Sequence, residues 1–128
     1  MGKRVFLAGL VAFFALAATQ AHADYDKAAV SGVMKTNAAL MGEISKAAEA
    51  KDFYAAAEKL MELAKGMKSL EAMTPENGKK EEWDKNHHAL IKAAFKGIGA
   101  CGDENLDELN AAIGAIGGLI KEGHALFK

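Results

Sequence analysis

The sequence predicts an all-α fold, an up-down-up-down antiparallel four-helix bundle. Three observations lead there. Apolar residues recur at three- and four-residue steps through four separate stretches. Alanine is abundant, β-branched residues are few and the only proline is Pro75, a composition that favours helix over strand. The connections between the periodic stretches are short, as antiparallel helical neighbours require.

Residues 1–23 read as a secretory signal rather than as part of the fold. Lys3 and Arg4 form a basic start, Val5 to Ala18 is apolar, and Ala21-His22-Ala23 has the small-x-small pattern of a cleavage site. The apolar run is short for a membrane span. A retained anchor is the alternative, disfavoured by the Ala-His-Ala site. The expectation is export to the periplasm, with no stable membrane insertion once the signal is cleaved. Removing 23 of the 128 residues leaves 105, enough for one domain over 24–128.

The first helix is expected over about Asp26 to Ala50. Val30, Met34, Asn37, Met41, Ile44 and Ala48 follow four- and three-residue steps, with Val33, Leu40 and Ala47 alongside. Asp52 then caps a second helix, because its carboxylate accepts from the unpaired N–H groups of a first turn. The stripe of that helix is Phe53, Ala56, Leu60, Leu63, Met67 and Leu70, and Thr74-Pro75 is expected to stop it. A polar loop follows over Pro75 to Lys80, with Asn77-Gly78 as its turn.

The third helix should begin near Lys80 or Glu81 and present Trp83, His87, Leu90, Ile91, Ala94 and Ile98 on one side. Asp103 and Glu104 place negative charge where a fourth helix would start. That helix, Asp103 to Lys128, carries Leu106, Leu109, Ile113, Ile116, Ile120 and Phe127 on one face. Gly114, Gly117, Gly118 and Gly123 interrupt it at a cost in propensity, which suggests close helix packing or a flat ligand against the backbone.

Charge and composition exclude several classes of function. The whole chain carries a formal charge of −1, and the signal holds two basic residues and no acids, so cleavage leaves −3. Such a mild charge excludes a nucleic-acid partner, which would need concentrated basic surface. Cys101 is the only cysteine, so no internal disulfide forms; a semi-buried thiol in the turn between the last two helices or an intermolecular disulfide are its two readings. No nucleophile with its base, no paired-carboxylate acid and no phosphate-cradling loop is present, so the chain does not read as an enzyme. Adjacent His87 and His88 diverge around a helix and cannot chelate one ion together. The methionines are spread over core positions, where packing explains them better than Cu(I) binding.

The terminal segment GGLIKEGHALFK, with Gly117-Gly118, Lys121, His124, Phe127 and Lys128, resembles the haem-attachment segment of the cytochrome c prime family. In that family a glycine pair leads into C-x-x-C-H followed by an aromatic and a basic residue. Leu106, Leu109, Trp83 and Leu90 fit the same frame. The first helix around Met34, VMKTNAALMGEI, is similar to the helix that carries the second axial ligand in low-spin members. The two thioether cysteines are absent, their places held by Ile120 and Gly123, so no covalent c-type attachment is expected. Val30 stands where low-spin members carry an arginine toward a haem propionate, leaving Lys27 or Lys35 as substitutes.

The resemblance implies a non-covalent, b-type haem, as in the soluble four-helix b-type cytochrome. His124 would be the proximal ligand and Met34 the second, with Gly117 and Ile120 beside the ring. Methionine opposite imidazole implies electron transfer with a redox partner protein. Without Met34 on the iron the site would be five-coordinate and bind small gases. The bland readings are a surface His124 complementing the helix dipole and a Met34 that only packs. They describe a haem-free bundle that binds or assembles through its helix faces, as a homodimer for instance. Which reading holds turns on whether the space between Met34, Gly117 and His124 is an open slot or is filled by Leu119, Ile120 and Phe127.

Overall fold

The computed structural model describes residues 25–127; the signal segment 1–23, the expected new N-terminus Asp24 and the terminal Lys128 lie outside the described residues. The described residues form four helices: α1 Lys27–Glu49, α2 Phe53–Leu70, α3 Lys80–Gly102 and α4 Leu106–Phe127. No strand occurs among the described residues. Helices packed in sequence order form a ring closed by α4 against α1, and that last pairing is much the sparsest. Successive helices alternate in direction. The N-terminal end of α1 (Tyr25), the C-terminal end of α2 (Leu70), the start of α3 (Trp83) and the end of α4 (Phe127) all meet at Trp83. The four-helix architecture expected from the sequence is the one observed.

Two of the three connections are built alike. After α1, Asp52 N–H donates to Ala47 O at 2.8 Å and Lys51 N–H to Ala48 O at 3.0 Å, with Lys51 at φ 55°. After α3, Asn105 N–H donates to Ala100 O at 2.9 Å and Glu104 N–H to Cys101 O at 3.1 Å, with Glu104 at φ 52°. Both are Schellman closures, which satisfy the last carbonyls of a helix through one left-handed residue. In both, the residue after the left-handed one caps the next helix: Asp52 accepts from Ala55 N–H and Asn105 from Glu108 N–H, each at 3.1 Å. The expected cap at Asp52 is therefore present. The fourth helix, by contrast, starts at Leu106 rather than Asp103, because Asp103 and Glu104 are consumed by the closure of α3 and Asn105 is the cap.

The α2–α3 connection departs further from expectation. α2 stops at Leu70, four residues before Thr74. Its terminal carbonyls are taken by side chains of α3: Trp83 Nε1 donates to Leu70 O at 3.0 Å, and Lys80 Nζ donates to Glu71 O and Met73 O at 2.8 Å each. Those partners replace the helical hydrogen bonds that a longer α2 would have made. Gly78, at φ 74°, closes the Asn77-Gly78 turn, with its N–H donating to Pro75 O at 3.1 Å. Asn77 Nδ2 then donates to Leu126 O at 2.8 Å and ties the loop to the end of α4.

The core is the shared product of the four stripes, with Ile44, Ala56, Leu60, Leu63, Leu70, Ala94, Leu109 and Ile116 wholly buried. Some stripe residues sit nearer the surface than their spacing suggests. Val30, Met34 and Met41 are half-buried, and Met61, off the α2 stripe but counted among the core methionines, is exposed. Cys101 lies in the last turn of α3, not in the following turn, and is buried against the core. Burial pushes its thiol pKa up.

The glycines also differ from expectation. A Cβ on Gly114, Gly117 or Gly118 would meet nothing within 4 Å, so these residues serve neither packing nor an existing close contact. The tight approach is at Gly97 of α3, where a Cβ would stand 2.8 Å from Leu60 Cδ1 and 3.3 Å from Ala112 Cβ. Here glycine lets α2, α3 and α4 close on one another.

Candidate functional site

Sparse packing between α1 and α4 leaves a cleft of about 610 Å³ at the end of the bundle that gathers the aromatic residues. Val30, Met34, Lys35 and Ala38 line it from α1, and Ile120, Gly123, His124 and Phe127 from α4. Trp83, Asn86, His87 and Leu90 of α3 and Met67 of α2 also reach it. Neither α3 with α1 nor α2 with α4 is an adjacent pair, so a space lined by all four must enter the bundle interior. Its volume and apolar lining are those of a small-molecule or cofactor site. The space anticipated near Met34 and His124 is thus open. Ile120 and Phe127 form its walls rather than fill it, and Leu119 packs toward the core.

The closed end is an aromatic cluster around Trp83. Phe127 packs edge-on against its ring at a centroid distance of 5.1 Å, Tyr25 does so at 6.2 Å, and His87 stacks on it at 4.1 Å with 29° between planes. Such offset and edge-to-face pairs suit the charge distribution of aromatic rings. They also fix the wall positions, since Trp83 is itself held by its bond to Leu70 O.

The residues singled out from the sequence fare differently. Met34 lines the cleft and is half-buried. Ile120 lines it from the facing helix, also half-buried. His124 lines the cleft too, but as an exposed residue at its rim, so its ring does not share the buried face of α4. Gly117 is a correction: it is exposed on the outer side of α4 and takes no part in the cleft lining. At about 100° per residue Gly117 points about 60° away from Ile120 and about 120° away from Gly123, one turn nearer the middle of α4 than the residues that line the cleft. Lys27 and Lys35, the cationic substitutes for the missing arginine, both border the cleft.

Gly123 has a physical reason for its small size. Asn86 Nδ2 donates to Leu119 O at 2.9 Å across the α3–α4 contact, and this brings Asn86 Oδ1 to 3.0 Å from where a Cβ of residue 123 would lie. Any side chain there presses on Asn86. Asn86 thus occupies ground next to a position that carries a thioether cysteine in the resembling family.

His87 is the residue whose importance the sequence understates. It is 1 % exposed, and its Nδ1 lies 2.7 Å from the Trp83 carbonyl oxygen. A carbonyl only accepts, so Nδ1 carries the proton and Nε2 presents a lone pair. Among the described residues, that buried Nε2 has no hydrogen-bond partner. Desolvation pushes the His87 pKa below its ordinary value, despite the opposing bond to Trp83 O, so the ring is held neutral. The signal that could have marked it was its place on the apolar stripe between Trp83 and Ile91. His88, one residue on, is exposed.

Asn37 is a second buried polar residue, behind the same end of the bundle. Its Nδ2 donates to Met67 Sδ at 3.1 Å and its Oδ1 has no partner. Among the described residues no cluster of three or more histidine, cysteine or acidic side chains could hold a bare metal ion. Nor is any helix among them long and apolar enough to cross a membrane.

The residues around the cleft offer apolar and aromatic walls, a thioether at Met34, imidazoles at His87 and His124, and ammonium groups at Lys27 and Lys35. Comparison of the chain with protein-family models, with curated proteins and with solved structures gave no match.

Proposed function

We propose that this chain is an exported four-helix bundle that binds haem non-covalently in the α1–α4 cleft and serves electron transfer. The observation that carries the reading is the cleft itself: an open interior space of cofactor size bordered by methionine on one helix and histidine on the facing ones. The resemblance of the α4 segment to cytochrome c prime supports the same ligand.

Each part of the chain has a task in this reading. Met34 offers sulfur from α1, while Ile120, Leu90, Phe127 and Trp83 exclude water from the faces of a flat ligand. Lys27 and Lys35 pair with carboxylates at the open side. Bound haem would supply a one-electron iron couple, and thioether and imidazole ligands from the chain would raise its potential. A redox partner protein would dock over the open edge of the cleft. Export follows from the leader at residues 1–23.

The experiment is an absorption titration of the purified protein with haemin. Saturable uptake at micromolar concentration, with a sharp Soret band and low-spin bands on reduction that Met34→Ala removes, is the expected result. A Soret band that survives Met34→Ala points to a five-coordinate, gas-binding site. A flat titration leaves a haem-free bundle, acting by assembly through its helix faces.

A further inference from the structure

We propose that His87, rather than His124, supplies the nitrogen ligand to iron in this cleft; the assignment rests on the haem reading above. An imidazole that binds iron does so neutral, through one free ring nitrogen, with its other N–H anchored to an acceptor that fixes tautomer and orientation. His87 meets each requirement in the protein alone. Nδ1–H is anchored on Trp83 O at 2.7 Å, the ring is clamped against the Trp83 indole at 4.1 Å, and Nε2 is left with a lone pair and no partner.

Buried acceptors are almost always satisfied, so an orphaned one on a residue that also lines an open cleft points to a group from outside the chain. A lone water is a poor candidate, because it needs two or more polar partners. The cleft that His87 lines is mainly apolar, with Met34, Met67, Leu90 and Trp83 among its walls, and one amide N–H of Asn86 already donates to Leu119 O. Nε2 does not reach solvent, so ligation requires a neighbour to move aside. Met34, half-buried in the same lining, is an unbranched thioether that can swing without backbone movement. Met34 then remains available as the second ligand.

His124 has none of this preparation. It is exposed in the last turn of α4, and among the described residues no hydrogen bond orients it.

The test compares haemin titrations of the wild-type protein, His87→Gly and His124→Ala, with circular dichroism to establish folding. His124→Ala is expected to match wild type, whereas His87→Gly loses the low-spin bands and regains them when free imidazole is added to fill the vacated space. Loss of the bands in His124→Ala overturns the assignment while leaving the haem reading intact. Should His87→Gly not fold, the wild-type protein decides by NMR with gallium protoporphyrin as a diamagnetic probe. The ring protons of His87 are expected to shift strongly upfield in the porphyrin ring current, with those of His124 little changed, and the reverse pattern overturns the proposal. Failure of the wild type to take up haemin or the gallium porphyrin sinks the haem reading, and this assignment with it.

Discussion

The Nδ1–H of His87 donates to the Trp83 carbonyl oxygen at 2.7 Å, one helical turn back, while the two rings stack with centroids 4.1 Å apart. Burial, working against that bond, makes His87 a neutral base and gives the protein a pH dependence. Unfolded, the imidazole takes a proton near its ordinary pKa of 6.5; folded, it does so only at lower pH. The unfolded state therefore binds more protons below pH 6.5, and stability falls as the pH drops from there through the lowered folded value. Urea unfolding of the ligand-free protein at pH 7.5 and 5.5 should show this loss. His87→Phe, which cannot titrate, should show a smaller one, and an equal loss in both proteins would refute the account.

Asn37 holds a buried amide with only a sulfur acceptor for its Nδ2 and nothing for its Oδ1. Replacing a poorly satisfied buried polar group by an apolar one of similar shape is neutral or stabilising, by up to about 1–2 kcal/mol. Asn37→Leu should raise the urea midpoint without changing the denaturant slope. A lowered midpoint would mean that the amide has a partner in solution.

The glycines of α3 and α4 should respond in opposite senses to alanine. Gly114 and Gly118 are exposed within a helix and open on all sides, so alanine at either should add roughly 0.5–1 kcal/mol from propensity alone. Gly97→Ala forces a methyl to within 2.8 Å of the wholly buried Leu60. Overpacking of this kind costs about 1–3 kcal/mol and outweighs the propensity gain. Thermal unfolding of the three variants is the measurement, and a Gly97→Ala variant as stable as Gly114→Ala would contradict the packing described.

Cys101 is buried in the last turn of α3 with its thiol pKa raised, which leaves little reactive thiolate. Labelling by a thiol reagent should be slow in the native protein and rapid in urea. Non-reducing electrophoresis after mild oxidation should show monomer. A disulfide-linked dimer forming under native conditions would show that α3 opens at this end.

Much of the architecture was legible in the sequence because helix periodicity and capping are local. The start of α1, the Asp52 cap and the Asn77-Gly78 turn follow from side chains within a few residues of each backbone group they satisfy. The misplaced boundaries share one cause, namely that their partners are not the ones local rules supply. α2 ends at Leu70 because Trp83 and Lys80, more than eight residues on, take its carbonyls. α4 starts at Leu106 because Glu104 adopts a left-handed conformation that a glutamate would not announce.

The site was legible only in outline. By itself the sequence determined four amphipathic helices and their order, since periodicity fixes the angle of each residue around its own helix axis. Tertiary structure decided how deep each residue lies, because depth depends on how closely neighbouring helices approach. His87 lies on a face of α3 covered from several sides, and its Nε2 is sealed from solvent without a partner. His124 stands where α4 leans only loosely on α1, and it stays at the rim. That same loose contact opens the cleft, while the tight one at Gly97 closes the core. Neither distance is encoded in the spacing of residues along a single helix.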